Sequence, residues 1–242
     1  MTIQHYIIHW ESGAELKKIP TASIDFICAD FPYNISNNKG LTKRGGKLVA
    51  SDFGEWDKFK DQKTYLEWVF LICAEFKRIL KPNASAVLFF SYRFWGWIGY
   101  ELERKKRFSF RMPILFQKTN PLPSFKKTNF RSCYEFAVWL TNDNGDFRSP
   151  ATFNFLGQAE MKSILDYRIW KGMDGEKLTN HPTEKPERLI SRLIEIFTKP
   201  GQIVLDPFAG SGTTGVAAVK LWRRAISIEQ DAGFVAMIKA RV

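Results

Sequence analysis

The sequence predicts a doubly wound α/β protein with a mostly parallel sheet. Short apolar runs that suit buried strands alternate with longer stretches whose apolar residues recur at spacings of three and four, as in amphipathic helices. The 242 residues, 45% of them hydrophobic, suffice for one well-buried core and are too few for two enzyme domains and a linker. We therefore expect one domain over 1–242 that includes a small recognition insert.

The first elements follow this pattern. Strands are predicted at 6–8 and 24–29, on either side of a short helix around Leu16. From 61 to 80 the apolar residues lie on one helical face, with Thr64 and Glu67 as a capping box at its start. An amphipathic helix packed on the sheet is the expected result.

The remaining elements continue the alternation. Pro82 should end the long helix, because the residue before a proline disfavours helical geometry. The later apolar runs predict strands at 86–90, 112–116, 134–140, 203–205 and 225–228, and helices at 189–197, from about 212 and from 232. Pro186 suits a first helical position. Residues 142–180 have no clear period, and we expect them to form the recognition insert.

The charge balance indicates a polyanionic partner. Lys and Arg number 36 against 25 Asp and Glu, which leaves a formal charge of +11. Such a surface attracts nucleic acid and speeds encounters with it, and an anionic membrane surface would also respond.

The composition argues against a disulfide framework, a metal site or a membrane anchor. Cys28, Cys73 and Cys133 are widely spaced, and the three histidines form no ligand cluster. The amino terminus lacks a basic region followed by an apolar one, and no apolar run has the length to cross a membrane. We expect a cytoplasmic protein.

Two turns carry the chemistry. Asp30-Phe31-Pro32-Tyr33 follows the apolar run 24–29, and Asp206-Pro207-Phe208-Ala209-Gly210-Ser211-Gly212 follows 202–205. In an open α/β sheet, ligands bind at the carboxyl ends of strands. Glycines in such a turn let a ligand approach the backbone. Glu229, 23 positions after Asp206, ends the next predicted strand, where an acid can accept both hydroxyl hydrogens of a ribose.

Together these turns resemble the S-adenosylmethionine-dependent amino-methyltransferases of DNA. The catalytic turn precedes the cofactor turn, as in the permuted β group of that family, found in bacterial restriction-modification systems and prophages. The resemblance covers nearly the whole chain and implies a Rossmann-like methyltransferase fold with S-adenosylmethionine as cofactor. Phe31 departs from the family pattern, which prefers proline there; the backbone carbonyl is retained, and we expect activity.

The resemblance also implies cofactor contacts. The segment 181–186 matches a further cofactor motif, in which Thr183 and Lys185 would close over the methionine end. Glu11 stands where the family usually has Gly-Asp after its first strand. The complete set of implied cofactor contacts is Glu11, Asp30, Thr183, Lys185, Asp206, Phe208, Ala209, Gly210, Ser211, Gly212, Thr213 and Glu229.

The catalytic motif implies a mechanism for methylating an exocyclic amino nitrogen. Its lone pair is delocalised into the ring, so acceptors on its two hydrogens help it as positive charge develops. The Asp30 carboxylate and the Phe31 carbonyl would be these acceptors, while Pro32 shapes the turn. Tyr33 would stack on a base flipped out of duplex DNA. Asp30 favours adenine N6, because relatives that act on cytosine N4 usually have serine there.

Basic residues should contact the DNA. The candidates after the catalytic turn and in the 120s are Lys39, Lys43, Arg44, Lys47, Lys126, Lys127 and Arg131. Lys118 and a further run at 104–107 are expected at the same edge, and Arg148 and Arg168 are candidates within 142–180. The composition of 34–56 predicts a mobile loop that closes over the flipped base.

Three alternatives remain open from the sequence. One is a cytosine-N4 methyltransferase of DNA. A second is a protein-glutamine methyltransferase, although those usually have asparagine first in the aromatic-proline turn. A third is a catalytically inactive DNA-binding homologue. The sequence also leaves open a homodimer and a separate cognate restriction endonuclease.

Overall fold

A computed structural model describes residues 4–33, 59–121, 123–124, 127–128, 130–168 and 184–241, together with the backbone of 42–44 and 47–49. The ten strands of this part are β1 (His5–His9), β2 (Ile24–Asp30), β3 (Thr42–Arg44), β4 (Lys47–Val49), β5 (Leu80–Phe90), β6 (Ser109–Lys118), β7 (Tyr134–Thr141), β8 (Ile164–Tyr167), β9 (Ile203–Asp206) and β10 (Arg224–Glu229). The six helices are α1 (Ser12–Leu16), α2 (Gln62–Ile79), α3 (Trp95–Arg104), α4 (Glu187–Phe197), α5 (Thr213–Lys220) and α6 (Ala232–Lys239).

Eight of the strands form one mixed sheet in the order β1-β10-β9-β2-β5-β7-β6-β8. All neighbouring pairs are parallel except those of β7, which runs antiparallel to β5 and β6. The predicted doubly wound, mostly parallel sheet is therefore confirmed. β9 and β2 lie side by side although strands β3 to β8 come between them in the chain.

The core lies on both faces of this sheet. Along β2 the side chains alternate, with Ile27 and Ala29 on the face covered by α1, α2 and α3, and Phe26 and Cys28 on the face covered by α4 and α5. Burying each large apolar side chain contributes about 1.5–3 kcal/mol. Strands buried on both faces explain why the sequence shows continuous apolar runs rather than alternation.

Helix α2 begins and ends differently from the prediction. Its N-cap is Asp61, whose carboxylate accepts a hydrogen bond from the Thr64 amide at 2.7 Å, so the Thr64 and Glu67 capping box was wrong. The helix passes directly into β5 at Leu80, and Pro82 lies inside that strand. The register of β5 on β2 shifts at this position, which is where a strand tolerates a proline.

Two elements of the sheet region were not predicted. Helix α3 follows β5, and β8 pairs in parallel with the end of β6. Because β8 belongs to the sheet and Tyr167 is buried in the core, part of 142–180 is structural. Residues 169–183 lie outside the described part, and target recognition by 142–180 stays a prediction.

The predicted loop at 34–56 is described only in part. Within it β3 and β4 pair as an antiparallel hairpin, and its other residues lie outside the described ranges. Across the described ranges, no helix combines the length and the apolar character that spanning a bilayer requires.

Candidate active site

The two sequence turns leave the sheet side by side. β2 ends at Asp30 and β9 ends at Asp206, and the two strands are parallel neighbours with Ile27 opposite Leu205. Both turns therefore emerge at the carboxyl edge of the sheet. They line a cleft that opens to solvent, together with Phe89 of β5 and Lys185 before α4.

Backbone hydrogen bonds fix the turn after β9. The Phe208 amide donates to Asp206 Oδ1 at 3.0 Å, and the Ala209 amide donates to the Ile228 carbonyl at 3.0 Å. Gly212 has a φ of 78°, and a Cβ there would lie 2.7 Å from the Ile238 side chain. Only glycine meets both conditions without strain. Ala209, Gly210, Ser211 and Thr213 line the cleft beside this turn.

Glu229 ties β10 to the same turn. Its Oε2 accepts a hydrogen bond from the Gly210 amide at 2.7 Å, and its Oε1 accepts one from the Asp231 amide at 2.8 Å. Burial raises the pKa of this carboxyl, although both amides oppose the rise. Each oxygen keeps a second lone pair, so Glu229 can still accept a hydrogen bond from a bound hydroxyl.

Asp206 is buried at the floor of the cleft. Its burial raises the pKa of the carboxyl to about 7, against hydrogen bonds from Thr214 and the Phe208 amide. The nearby carboxylates Asp30 and Glu229 raise it further. Three acids around one cleft favour a ligand that carries positive charge.

The two oxygens of Asp30 have different surroundings, and the Tyr33 side chain also interacts with this carboxyl. Lys185 Nζ donates to Asp30 Oδ2 at 2.5 Å, whereas the buried Oδ1 makes no hydrogen bond of normal geometry within the described chain. Burial raises the pKa of the Asp30 carboxyl, and Lys185 opposes that rise. The Tyr33 ring lies beside this pair, with Lys185 Nζ 5.6 Å from its centroid.

Phe31 is part of the core. Its side chain is 2% exposed, and its ring centroid lies 4.6 Å from that of Phe90 and 4.9 Å from that of Phe208. The Phe31 amide also donates to the Phe89 carbonyl at 3.3 Å. These contacts give a physical reason for phenylalanine at a position where the family pattern prefers proline.

Glu11 lies outside the cleft lining. It is the N-cap of α1, and its two carboxylate oxygens accept hydrogen bonds from the Gly13 and Ala14 amides at 2.7 and 2.9 Å. Its carboxylate is therefore committed to the helix start. Thr183, another predicted cofactor contact, lies outside the described residues.

The basic residues predicted after the catalytic turn and between 118 and 131 divide into three groups. Lys127 and Arg131 are exposed in the connection from β6 to β7, at the edge where β2 and β9 end, and Arg131 donates to the Pro121 carbonyl. The side chains of Lys39, Lys43, Arg44, Lys47 and Lys126 lie outside the described part. Lys118 is mostly buried and pairs with Glu135 at 2.8 Å, so it is an internal group.

The basic run at 104–107 was placed at the wrong edge. It lies between the end of α3 and the start of β6. β6 is antiparallel to β7, which is antiparallel to β5, so β6 starts at the edge opposite Asp30. Arg104 also pairs with Glu101 at 2.8 Å, and the Arg107 guanidinium donates to the Phe70 carbonyl.

Sequence reasoning missed Glu135. This acid stands second in the apolar strand β7, and its Oε2 lies 3.2 Å from Lys185 Nζ. A lone carboxylate in an otherwise apolar strand was the available signal.

The sheet order and the paired turns define a Rossmann-like α/β protein with a ligand cleft at the carboxyl edge of its sheet. The chain belongs to the DNA methylase family of N6 and N4 methyltransferases, whose model matches residues 24–240.

Relatives and solved structures agree with this assignment. Two type II methyltransferases, M2.DpnII of Streptococcus pneumoniae and M2.LlaDCHI of Lactococcus lactis subsp. cremoris, are each 33% identical over 98% of this chain and 88% of their own length. The crystal structure of the M1.HpyAVI–SAM complex superposes with a TM-score of 0.72 at 26% identity, covering 98% of each chain. PvuII DNA methyltransferase (cytosine-N4-specific) shares the fold, with a TM-score of 0.76 at 20% identity over 100% of this chain and 87% of its own.

Proposed function

We propose that this protein transfers a methyl group from S-adenosylmethionine to the N6 amino group of adenine in duplex DNA. The observation that carries the proposal is the side-by-side position of β2 and β9, which brings Asp30 and the glycine turn after Asp206 to one cleft. Membership of the DNA methylase family supports the reaction class, and the relative solved with SAM supports the cofactor.

The residues of the cleft fit S-adenosylmethionine. This cofactor supplies an electrophilic methyl group on a positively charged sulfur. Asp206 and Asp30 line the cleft, and acids suit the cationic groups of the methionine part. Glu229, at the end of the neighbouring strand β10, suits the ribose hydroxyls. Gly210 and Gly212 both have positive φ values, and Gly210, which lines the cleft, has no Cβ to obstruct the bound molecule.

The cofactor contacts in this proposal are Asp30, Lys185, Asp206, Phe208, Ala209, Gly210, Ser211, Gly212, Thr213 and Glu229. All except Gly212 and Glu229 line the cleft, and those two fix its turn. Thr183 stays a prediction. Glu11, whose carboxylate caps α1, also stays a prediction.

Asp30 and its turn would activate the amino group. Asp30 Oδ1 has no hydrogen bond of normal geometry in the described chain, and the Phe31 carbonyl accepts no hydrogen bond from the described residues. Each can accept one amino hydrogen, which stabilises the positive charge that develops on nitrogen. Pro32 shapes the turn, and Tyr33 would stack on the base.

Adenine is the favoured base because Asp30 occupies the first position of the catalytic motif. Cytosine N4 is the second candidate, since the family includes both activities and one structural neighbour is titled cytosine-N4-specific. Either base must leave the duplex stack to reach the cleft, which costs a few kcal/mol.

The DNA would lie across the carboxyl edge of the sheet. Lys127 and Arg131 are exposed there and would contact phosphates. Lys39, Lys43, Arg44, Lys47 and Lys126 belong to the same proposal on sequence grounds alone. Arg168 is exposed at the end of β8 on the same edge and is the described candidate for sequence recognition within 142–180. Arg148 was predicted at the wrong edge, because it follows the end of β7, where its carbonyl accepts a hydrogen bond from the Arg111 side chain near the start of β6. A homodimer and a separate restriction endonuclease stay sequence predictions.

Methyl transfer from labelled cofactor to duplex DNA, followed by nucleoside analysis, tests the proposal. We expect label in N6-methyladenine, loss of transfer in Asp30→Ala, and retention in the control Glu67→Ala, whose side chain is 63% exposed on α2. Label in N4-methylcytosine would select the alternative base. Label in protein glutamine, or no transfer with DNA binding intact, would overturn the proposal.

A further inference from the structure

A row of four charges of alternating sign ends at Asp30. Lys118 Nζ lies 2.8 Å from Glu135 Oε1, Lys185 Nζ lies 3.2 Å from Glu135 Oε2, and the same Nζ lies 2.5 Å from Asp30 Oδ2. The four residues come from the end of β6, the start of β7, the segment before α4 and the end of β2. The row therefore joins both halves of the sheet edge at the proposed site.

These charges are mostly withdrawn from solvent. The exposed fractions of the side chains are 17% for Lys118, 21% for Glu135, 14% for Lys185 and 29% for Asp30. Removing one partner from such a row leaves the next charge uncompensated. Glu135 holds two ammonium groups at once, so it fixes Lys185 from the side opposite Asp30.

We infer that Glu135 is a positioning residue for Asp30, acting through Lys185. Lys185 occupies Oδ2, and the buried Oδ1, on the carboxylate that also meets the Tyr33 side chain, is the proposed acceptor for the substrate amino group. The ammonium group of Lys185 is shared between the carboxylates of Glu135 and Asp30, and this contact orients Asp30. Because Glu135 takes part of the interaction, Lys185 lowers the pKa of Asp30 less than it would in an isolated ion pair. This inference rests on the proposed function and adds a residue to its site.

The charges around Asp30 determine the direction in which each substitution should shift its pKa. Glu135 raises the pKa of Asp30 and Lys185 lowers it, while burial is the largest effect and raises it. Tyr33, Cys28 and Asp206 are further titratable groups beside Asp30, and Tyr167 of β8 faces Glu135 and also senses the charge of Asp30. Burial alone would raise the pKa of Glu135, but Lys185 and Lys118 lower it to about 2. Glu135 therefore stays charged across the working pH range.

The two neighbours of Asp30 should act in opposite directions. Glu135→Gln removes a negative charge, so the pKa of Asp30 and the acid limb of kcat should move to lower pH. Lys185→Met removes a positive charge, so both should move to higher pH. In Glu135→Gln we expect kcat to fall by up to about 100-fold through misplacement of Asp30.

Two measurements test this. The first is kcat against pH for wild type, Glu135→Gln, Glu135→Asp and Lys185→Met, with partial recovery expected in Glu135→Asp. The second is carbon-13 NMR titration of the Asp30 carboxyl in cofactor-free protein, assigned with Asp30→Asn. The matched control is Glu67→Gln, which removes a 63% exposed carboxylate of α2 paired with Lys63 at 3.9 Å and should change neither measurement.

The outcomes separate this inference from the proposed function. An unchanged Asp30 titration in Glu135→Gln overturns the inference, even if the wild type methylates DNA. A wild type that methylates no DNA overturns the proposed function, whereas the NMR titration still decides whether Glu135 acts on Asp30. If Glu135→Gln does not fold, Lys118→Met frees Glu135 from its second cation, and an unmoved Asp30 titration there also overturns the inference.

Discussion

The rings of Phe31 and Phe208 pack against each other with centroids 4.9 Å apart. Phe31 belongs to the turn after β2, and Phe208 belongs to the turn after β9. This contact joins the proposed catalytic turn directly to the proposed cofactor turn. Trp68 of α2 contacts both rings, at 5.8 and 5.6 Å, so the core fixes the distance between the two turns.

Replacing Phe31 by proline should destabilise the protein rather than improve its motif. The change removes a side chain packed against Phe90 and Phe208, and it removes the amide that donates to the Phe89 carbonyl. We expect a loss of about 3–5 kcal/mol in the free energy of unfolding, measured by urea titration. Phe155→Ala, at a 56% exposed ring, is the control and should cost little. Equal stability of Phe31→Pro and wild type would contradict the packing argument.

The same substitution should have opposite effects at two glycines. Gly212→Ala forces a side chain into a φ of 78° and places its Cβ 2.7 Å from Ile238, so a loss of at least about 1–2 kcal/mol is expected. It should also weaken S-adenosylmethionine binding, measured by calorimetry. Gly96→Ala lies in α3 with nothing within 4 Å of the new Cβ, and it should stabilise by about 0.5–1 kcal/mol. A neutral Gly212→Ala would argue against a strained turn.

Asp206 should make stability depend on pH. Its pKa is raised from 3.8 to about 7 in the folded protein, chiefly by burial. Folding therefore favours the protonated carboxyl, and the stability that this group contributes below pH 3.8 is lost as the pH rises towards 7. Across that window the loss approaches about 1.4 kcal/mol for each pH unit.

Asp206→Asn isolates this contribution, because Asp30 and Glu229 also have raised pKa values. The free energy of unfolding of Asp206→Asn relative to wild type should increase between pH 5 and pH 8, measured by urea titration at each pH. Asp146→Asn serves as the exposed control. A difference that does not change with pH would mean that Asp206 is ionised in the folded protein throughout this range.

Two exposed lysines allow a matched test of the DNA-binding edge. Lys127 and Lys106 both have left-handed backbone conformations, with φ values of 53° and 51°, but they lie at opposite edges of the sheet. Lys127→Gln should lower the slope of log Kd against log salt by about 0.9, as expected for one lost phosphate contact. Lys106→Gln should leave the slope unchanged. Equal effects of the two changes would place the DNA elsewhere.

The sequence predicted the sheet and the paired turns well because each depends on local pattern. The continuous apolar runs of β2, β5 and β9 identify buried parallel strands, and the Asp206 to Gly212 turn has a distinctive composition. Helix α3 was missed because Trp95 to Arg104 follows the aromatic end of β5 with no capping side chain. Strand β8 was missed because only its pairing with β6 defines it.

The site was predicted less completely where roles depend on contacts between distant segments. Phe31 reads as a motif variant in the sequence, and only the structure gives it a place in the core. Lys185 was expected to close over the cofactor, but its ammonium group also joins Asp30 to Glu135. Glu11 matches a family position but caps a helix. No local pattern distinguishes these possibilities.

Strand β1 has a single neighbour in the described sheet, β10, with His5 opposite Ala225. β1 precedes the other described elements in the chain, and β10 follows nearly all of them. During synthesis β1 must therefore wait, unpaired, until the ribosome has released most of the polypeptide. Closing so long a loop is slow. Pairing of β1 with β10 should consequently be among the last steps in the folding of a newly made copy.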